Sequence, residues 1–173
     1  MTNDFSFSAS RRKFVHVLAG GLALSAAPGI AALGQGSNLS KMKIATIGAG
    51  REGGALGTLF AKLGHPVMFS SRHPEELKGL VAAAGPTARA GTTAEAVAFG
   101  EVIFLVVPYT AIEQIGKDFG PALATKPLIL DVSNPIPARD GQEIVTQVAA
   151  QGGPGLATKK LLQVNPTIAP FRK

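Results

Sequence analysis

Residues 43–53 read Lys-Ile-Ala-Thr-Ile-Gly-Ala-Gly-Arg-Glu-Gly, and this stretch decides the fold of the chain. The apolar run at 43–47 predicts a β-strand, and the amphipathic residues 53–63 predict a helix that the next residue, a glycine, ends. The segment between them, 48–53, has the pattern G-x-G-x-x-G. A glycine-rich turn between a strand and a helix is typical of the first βαβ unit of a dinucleotide-binding fold.

Each glycine of the pattern has a physical reason to be there. Gly48 allows a tight turn, Gly50 lets the backbone approach a pyrophosphate, and Gly53 lets the helix pack against the strand. The helix N-terminus then presents unpaired N–H groups and partial positive charge to phosphates. The pattern predicts dinucleotide binding, although a glycine-rich turn that only packs the helix on the strand is the alternative.

Strands and helices alternate through the rest of the chain. The run at 102–107 is apolar without alternation, which indicates a strand buried on both faces, as in a parallel sheet covered by helices. Further strands are predicted at 66–70, 87–90 and 127–132, and helices are predicted from Pro74, Thr92 and Thr110. Thr92-x-x-Glu95 and Thr110-x-x-Glu113 are capping patterns. The fold class is therefore α/β, a Rossmann-type doubly wound parallel sheet.

The end of the second strand indicates which dinucleotide is bound. An NAD-binding chain places Asp or Glu about 20 residues after the glycine pattern, where it accepts the ribose hydroxyls. This chain has Ser70, Ser71, Arg72 and His73 there, with no acid. Two hydroxyls and a planar guanidinium suit a 2′-phosphate, so the sequence favours NADP over NAD. The alternative is that Arg72 is only a solvated loop residue.

The N-terminal segment resembles an export signal. Arg11 and Arg12, followed by Lys13-Phe14, precede a weakly apolar run, which is the layout of a twin-arginine signal peptide. We expect residues 1–34 to be this signal, cleaved near Ala31, Ala32 or Gly34, and the protein to be periplasmic with only transient membrane contact. An uncleaved membrane anchor is the alternative, although the run is shorter than the roughly 20 residues of a spanning helix.

Composition excludes several other function classes. The chain has 173 residues, no cysteine and three scattered histidines, so a disulfide scaffold, a thiol nucleophile and a metal site are not expected. The net charge of +6 is spread along the chain, and one tyrosine without tryptophan gives little surface for stacking on bases. Nucleic-acid binding is therefore not expected either.

Five pieces of the chain together resemble one family, the NADP oxidoreductases that depend on the deazaflavin coenzyme F420. The pieces are Lys43-Ile-Ala-Thr-Ile-Gly-Ala-Gly50, Gly64-His-Pro-Val67, Ser70-Ser-Arg-x-Pro74, Val106-Val-Pro108 and Asp131-Val-Ser-Asn-Pro135. The resemblance covers roughly residues 41–162, the expected Rossmann domain. It is specific for the fold and NADP, and less so for the second substrate.

The resemblance implies a set of cofactor-binding residues. Gly48, Ala49, Gly50, Arg51 and Glu52 would form the phosphate turn before Gly53. Ser71 and Arg72 would hold the 2′-phosphate beside Ser70, and Val107 and Pro108 would line the adenosine and ribose side. Asn134 and Pro135 would approach the nicotinamide, although an ordinary turn is an equal alternative there.

The implied activity is hydride transfer between NADPH and a flavin or deazaflavin, a small-molecule acceptor whose identity the sequence leaves open. Such transfer needs alignment more than acid–base groups, so no catalytic residue is named. Residues 163–173 diverge from the family, and we expect a fold that is incomplete at this end. The alternative function is a non-catalytic dinucleotide-binding module, and self-association as a homodimer is one way to complete a shortened site.

Replacing both Arg11 and Arg12 by lysine should keep the precursor in the cytoplasm, because the export receptor reads the guanidinium pair rather than charge alone. Cell fractionation followed by immunoblotting measures this. Replacing Lys13 by arginine is the matched control and should leave export intact. Undiminished periplasmic accumulation of the double lysine variant would exclude the twin-arginine route.

Overall fold

One parallel β-sheet organises the described part of the chain. The computed structural model describes residues 41–164 and the backbone of a strand at 167–170, so the signal predicted at 1–34 lies outside the described residues. The sheet has six strands in the order β3-β2-β1-β4-β5-β6. They are β1 (Ile44–Ile47), β2 (Val67–Ser70), β3 (Ala88–Gly91), β4 (Val102–Leu105), β5 (Leu128–Asp131) and β6 (Thr167–Pro170).

Strand pairing follows from the buried apolar runs. Ile44 of β1 lies opposite Val67 on one side and Val102 on the other, and the pairing is parallel throughout. All four residues of β1, β2 and β4 are buried, as expected for central strands with helices on both faces. The predicted α/β fold with a doubly wound parallel sheet is therefore confirmed.

Helices cover both faces of the sheet. On one face, Phe69 and Phe104 of the sheet form a core with Ala61 of the first helix. On the other face, Ile103 of the sheet forms a second core with Ile112 and Leu162, which belong to two further helices. No helix within the described residues is long and apolar enough to cross a membrane. The helices are α1 (Arg51–Lys62), α2 (Lys78–Ala84), α3 (Thr93–Phe99), α4 (Ile112–Leu123), α5 (Pro137–Asp140), α6 (Gln142–Ala150) and α7 (Pro154–Leu162).

The predicted helix caps have different outcomes. The Thr92 hydroxyl accepts the Glu95 N–H at 3.3 Å and a Glu95 carboxylate oxygen accepts the Thr92 N–H at 2.7 Å, so this capping box is present. The cap predicted at Thr110 is wrong: a 3₁₀ turn at Tyr109–Ala111 precedes α4, which has no side-chain cap. Glu113 pairs with Lys117 at 2.7 Å instead, one helical turn later.

The sheet extends further than the sequence predicts. Residues 163–173 carry no recognisable strand pattern, yet Thr167–Pro170 pairs in parallel with β5 as the outermost strand. The sheet therefore has six strands where the sequence predicts five. A four-residue strand ending in proline has too little pattern to be read locally, and its partner is the open edge of β5.

Candidate functional site

A cleft of about 420 Å³ opens at the carboxyl ends of β1, β4 and β5. β2 and β3 lie on one side of β1, whereas β4, β5 and β6 lie on the other. The direction in which successive strands are added to the sheet therefore reverses at β1. Ligands of doubly wound sheets bind at this reversal point. The cleft is lined by Gly50, Arg51, Glu52, Gly53, Val106, Val107, Pro108, Val132, Ser133, Asn134, Ile136 and Arg139.

Two glycines of the predicted phosphate turn are required by packing. Gly48 has φ of +93°, and a Cβ there would collide with the carbonyl oxygen of Val106. A Cβ on Gly53 would collide with the carbonyl oxygen of Gly48. The turn therefore lies directly against the end of β4, and neither position accepts a larger residue without a backbone shift.

Gly50 differs from both of them, because a Cβ there would meet nothing within 4 Å. It is the N-cap of α1, has φ of −67° and makes no side-chain cap, so packing does not require glycine. Its exposed backbone faces the cleft where the N–H groups of α1 begin. The open space leaves room for a pyrophosphate to approach the backbone, so the residues present fit a dinucleotide.

A buried serine joins the two loops that form the far wall of the cleft. The Ser133 hydroxyl donates to the carbonyl of Leu105 and accepts the N–H of Val107, both at 3.2 Å. We call these two bonds the Ser133 bridge. The Ser133 N–H in turn donates to a carboxylate oxygen of Asp131 at 2.9 Å. The loops after β4 and β5 are thus held at a fixed separation.

Asp131 lies beneath the cleft rather than in it. It is 2% exposed, and burial raises the pKa of its carboxyl, a rise that the Thr158 hydroxyl and the Ser133 groups reduce. Burial also raises the pKa of Tyr109, whose hydroxyl accepts a hydrogen bond from Thr158 at 3.3 Å. These buried groups fix the cleft floor and do not line the ligand space.

Arg139 contributes a positive charge to the cleft. Its guanidinium contacts the carboxylate of Asp140 at 2.8 Å and the carbonyl of Asn134 at 2.6 Å. The Asp140 side chain is fully buried, whereas that of Arg139 is 42% exposed. Hydrogen bonding to Arg139 lowers the pKa of Asp140, so this carboxylate stays ionised near neutral pH.

The end of β2 lies apart from this cleft. Ser70 is fully buried with no partner for its hydroxyl within the described residues, while Arg72 is exposed. Ser71 is partly exposed, and its hydroxyl accepts the N–H of His73 at 3.0 Å. A second cavity, of about 480 Å³, lies on the α2 side of the phosphate turn and is lined by Ala49, Gly50 and Leu80 among others.

The structure brings together more than half of the residues predicted from sequence. Besides those at the end of β2, three of the predicted residues do not line the cleft: Gly48 packs against the backbone of Val106, Ala49 lines the second cavity, and Pro135 lines neither of these two cavities. Sequence reasoning missed five lining residues, of which Ser133 lies inside the quoted motif at 131–135 and Arg139 has no sequence signal. The predicted residues that do line the cleft are Gly50, Arg51, Glu52, Gly53, Val107, Pro108 and Asn134.

Within residues 41–164, no three His, Asp or Glu side chains come close enough together to hold a metal ion. The ionisable groups that line the cleft are Arg51, Glu52 and Arg139. The arrangement can therefore bind and orient an anionic ligand over the sheet edge.

Comparison with known families identifies the same region. Residues 43–135, more than half of the chain, match the family described as "NADP oxidoreductase coenzyme F420-dependent". The match begins beside β1 and ends in the loop after β5, so it contains the phosphate turn and all the residues that line the cleft except Ile136 and Arg139. None of the curated proteins matches the sequence.

Two solved structures with TM-scores above 0.5 share the fold, and a third is similar over a shorter part of the chain. A protein described as an F420-dependent NADP reductase from Arthrobacter sp. FB24 is 25% identical, with a TM-score of 0.48, and the match covers 54% of this chain and 46% of that one. An imine reductase from Bacillus cereus is 22% identical over 74% of this chain and 38% of that one, with a TM-score of 0.51. Lactate dehydrogenase from Eimeria maxima is 14% identical over 78% and 44%, with a TM-score of 0.53. The chain spans less than half the length of each.

Replacing Gly50 by alanine should separate ligand binding from folding. The methyl group has open space in the free protein, so the melting temperature should hardly change, yet it would occupy the approach of a pyrophosphate. We expect NADPH affinity, measured by calorimetric titration, to fall by roughly tenfold or more, a loss of about 1.4 kcal/mol.

Gly53→Ala is the matched comparison. Its methyl group would meet the backbone of Gly48, so this variant should lose about 1–3 kcal/mol of folding stability as well. Unchanged NADPH affinity in a folded Gly50→Ala variant would mean that the turn does not contact the phosphates.

Proposed function

The chain belongs to the family of NADP oxidoreductases dependent on coenzyme F420, and from this premise we propose that it binds NADPH and passes its hydride to a flavin or deazaflavin acceptor. The matched region is an NAD(P)-binding oxidoreductase domain with a Rossmann-type sheet. The family itself implies NADP(H), and F420 is the acceptor that its name suggests.

One observation carries the proposal, namely the open space at Gly50. Gly48 and Gly53 are fixed by backbone contacts, whereas Gly50 is free of them and faces a cleft at the start of α1. A fold that only needed a tight turn would not need glycine at this position. A pyrophosphate at the helix N-terminus accounts for it, because close approach to the backbone requires the missing side chain.

The choice of NADP over NAD is supported by the loop after β2. Arg72 is exposed there, has no ion-pair partner within the described residues, and follows Ser71, whose side chain is partly exposed. No acid occupies the position that would bind ribose hydroxyls, although Glu75 and Glu76 lie in the following turn. A guanidinium and a hydroxyl suit the 2′-phosphate of NADP through charge-assisted hydrogen bonds.

The walls of the cleft suit a reaction that depends on alignment. NADPH, when bound, supplies a hydride, and the acceptor ring takes up that hydride together with a proton from solvent, leaving NADP⁺. The Ser133 bridge fixes the loop after β4 relative to the loop after β5, which holds Val107, Pro108 and Asn134 in place. The chain therefore contributes binding, orientation and exclusion of water rather than an acid–base group.

We also propose that the protein acts in the periplasm after twin-arginine export. Arg11 and Arg12 with the weakly apolar run that follows support this location. A homodimer is proposed as the active form, in which a second copy covers the acceptor side of the cleft.

The decisive experiment is NADPH oxidation by the purified full chain with riboflavin, FMN and F420 as separate acceptors. Turnover with at least one of them supports hydride transfer, and NADH should be a poorer donor. Tight NADPH binding without any turnover would support the non-catalytic module instead. Specific activity that rises with protein concentration would support the homodimer, and constant activity of a demonstrated monomer would exclude it.

Arg72→Ala should weaken NADPH binding by roughly ten- to a hundredfold, because charged hydrogen bonds contribute about 1.5–3 kcal/mol. NADH binding should stay within about twofold, since NADH lacks the 2′-phosphate that Arg72 is proposed to hold. Calorimetric titration of both nucleotides measures this, with Lys78→Ala as a control that removes a charge from α2. Equal losses for NADPH and NADH would mean that Arg72 acts on the fold.

A further inference from the structure

Arg139 lies on the β5 side of the cleft, away from the end of β2 where the 2′-phosphate is proposed to bind. The pyrophosphate is proposed at Gly50 and the 2′-phosphate at the end of β2, and β2 neighbours β1 on the side away from β4. The reactive half of the nucleotide, and its partner, therefore belong on the β5 side of the cleft. Arg139 lies just after β5 and lines the cleft there.

The guanidinium is held in one orientation by buried and backbone groups. Nε and Nη2 both contact the Asp140 carboxylate, at 3.1 and 2.8 Å, and Nη2 also donates to the Asn134 carbonyl at 2.6 Å. Asp140 is itself fixed because it accepts the Ile136 N–H at 2.8 Å. The planar group is thus oriented before any ligand arrives, which reduces the entropy lost on binding.

One end of the guanidinium takes no part in holding the loop. Nη1, with its two N–H donors, makes none of these bonds, and the side chain remains 42% exposed where it lines the cleft. If Arg139 served only to neutralise Asp140, the contacts through Nε and Nη2 would be sufficient. The remaining donors match one edge of a phosphate or carboxylate group.

We infer that Arg139 determines acceptor specificity by binding an anionic substituent, a phosphate or a carboxylate, carried by the hydride acceptor. This inference rests on the proposed function, because it needs an acceptor beside the nicotinamide. It adds the chemical class of that acceptor: a redox-active ring with an anionic side chain is bound in preference to the same ring without one.

Riboflavin and FMN test this, because they share one ring and differ by a phosphate. The full chain is saturated with NADP⁺, and flavin binding is followed by quenching of flavin fluorescence. We expect FMN to bind roughly ten- to a hundredfold more tightly than riboflavin, the range for hydrogen bonds to a charged group. Arg139→Gln should abolish the difference, and Arg139→Lys should restore part of it, since it keeps the charge and loses the planar pair of donors.

Two controls separate this role from a structural one. Arg89→Gln removes the same charge from β3, beyond β2 at the far edge of the sheet, and should keep the preference for FMN. Inorganic phosphate should compete with FMN and not with riboflavin on the unaltered protein, which tests the site even if Arg139→Gln fails to fold.

The outcomes distinguish this inference from the proposed function. Three results would each overturn the inference. In folded Arg139→Gln, the affinities for FMN and riboflavin could fall equally, or the affinity for NADP⁺ could fall while that for FMN is kept. The unaltered protein could also bind neither flavin. NADPH oxidation with riboflavin and FMN at equal efficiency would leave hydride transfer standing and overturn the role of Arg139. An Arg139-dependent preference for FMN without any turnover would support the anion site and refute hydride transfer.

Discussion

The close contact between the phosphate turn and the end of β4 is the constraint on which the rest of the site depends. Gly48 lies against the carbonyl of Val106, and Gly53 lies against the carbonyl of Gly48, with no room for a Cβ at either position. These contacts set the position of α1 relative to the sheet. The cleft exists because α1 begins here and β4 ends here.

The two walls of the cleft are built from different kinds of interaction. On the side of the phosphate turn, backbone contacts between glycines fix the geometry and leave Gly50 open to a ligand. On the far side, the Ser133 bridge joins the loops after β4 and β5, and the buried Asp131 carboxyl holds Ser133. The first wall depends on the absence of side chains, and the second depends on hydrogen bonds between buried polar groups.

Membership in a family of NADP oxidoreductases agrees with a site that orients rather than reacts. Two ionisable groups buried near the cleft, Asp131 and Tyr109, do not line it and instead contact Thr158 of α7. Arg139 differs from these two residues because it lines the cleft. Its ion pair with Asp140 uses one end of the guanidinium, and the side chain remains 42% exposed. Under the proposed function the cofactor would supply the reactivity, and the chain would contribute the fixed separation of the two walls.

The sequence by itself determined the fold class and the phosphate turn, because both depend on local patterns. Buried strands at 44–47 and 102–105 read as apolar runs, and Gly48, Gly50 and Gly53 occur at a spacing that few other structures require. The Thr92 capping box was readable for the same reason, whereas the similar pattern at Thr110 was not used because a 3₁₀ turn precedes α4.

Only the tertiary structure decided which glycine is free for a ligand, where Arg139 lies and how the sheet ends. Gly48, Gly50 and Gly53 are the same residue type, and they differ because Gly48 lies against the backbone of Val106, Gly53 lies against the backbone of Gly48, and Gly50 has no close neighbour. Arg139 reaches the cleft through its contact with Asn134, five residues earlier, and β6 forms because β5 offers an unpaired edge. The glycine and strand contacts join segments that are distant in the chain, and the Arg139 contact depends on the path of the loop after β5. A local pattern of residue types does not specify either kind of contact.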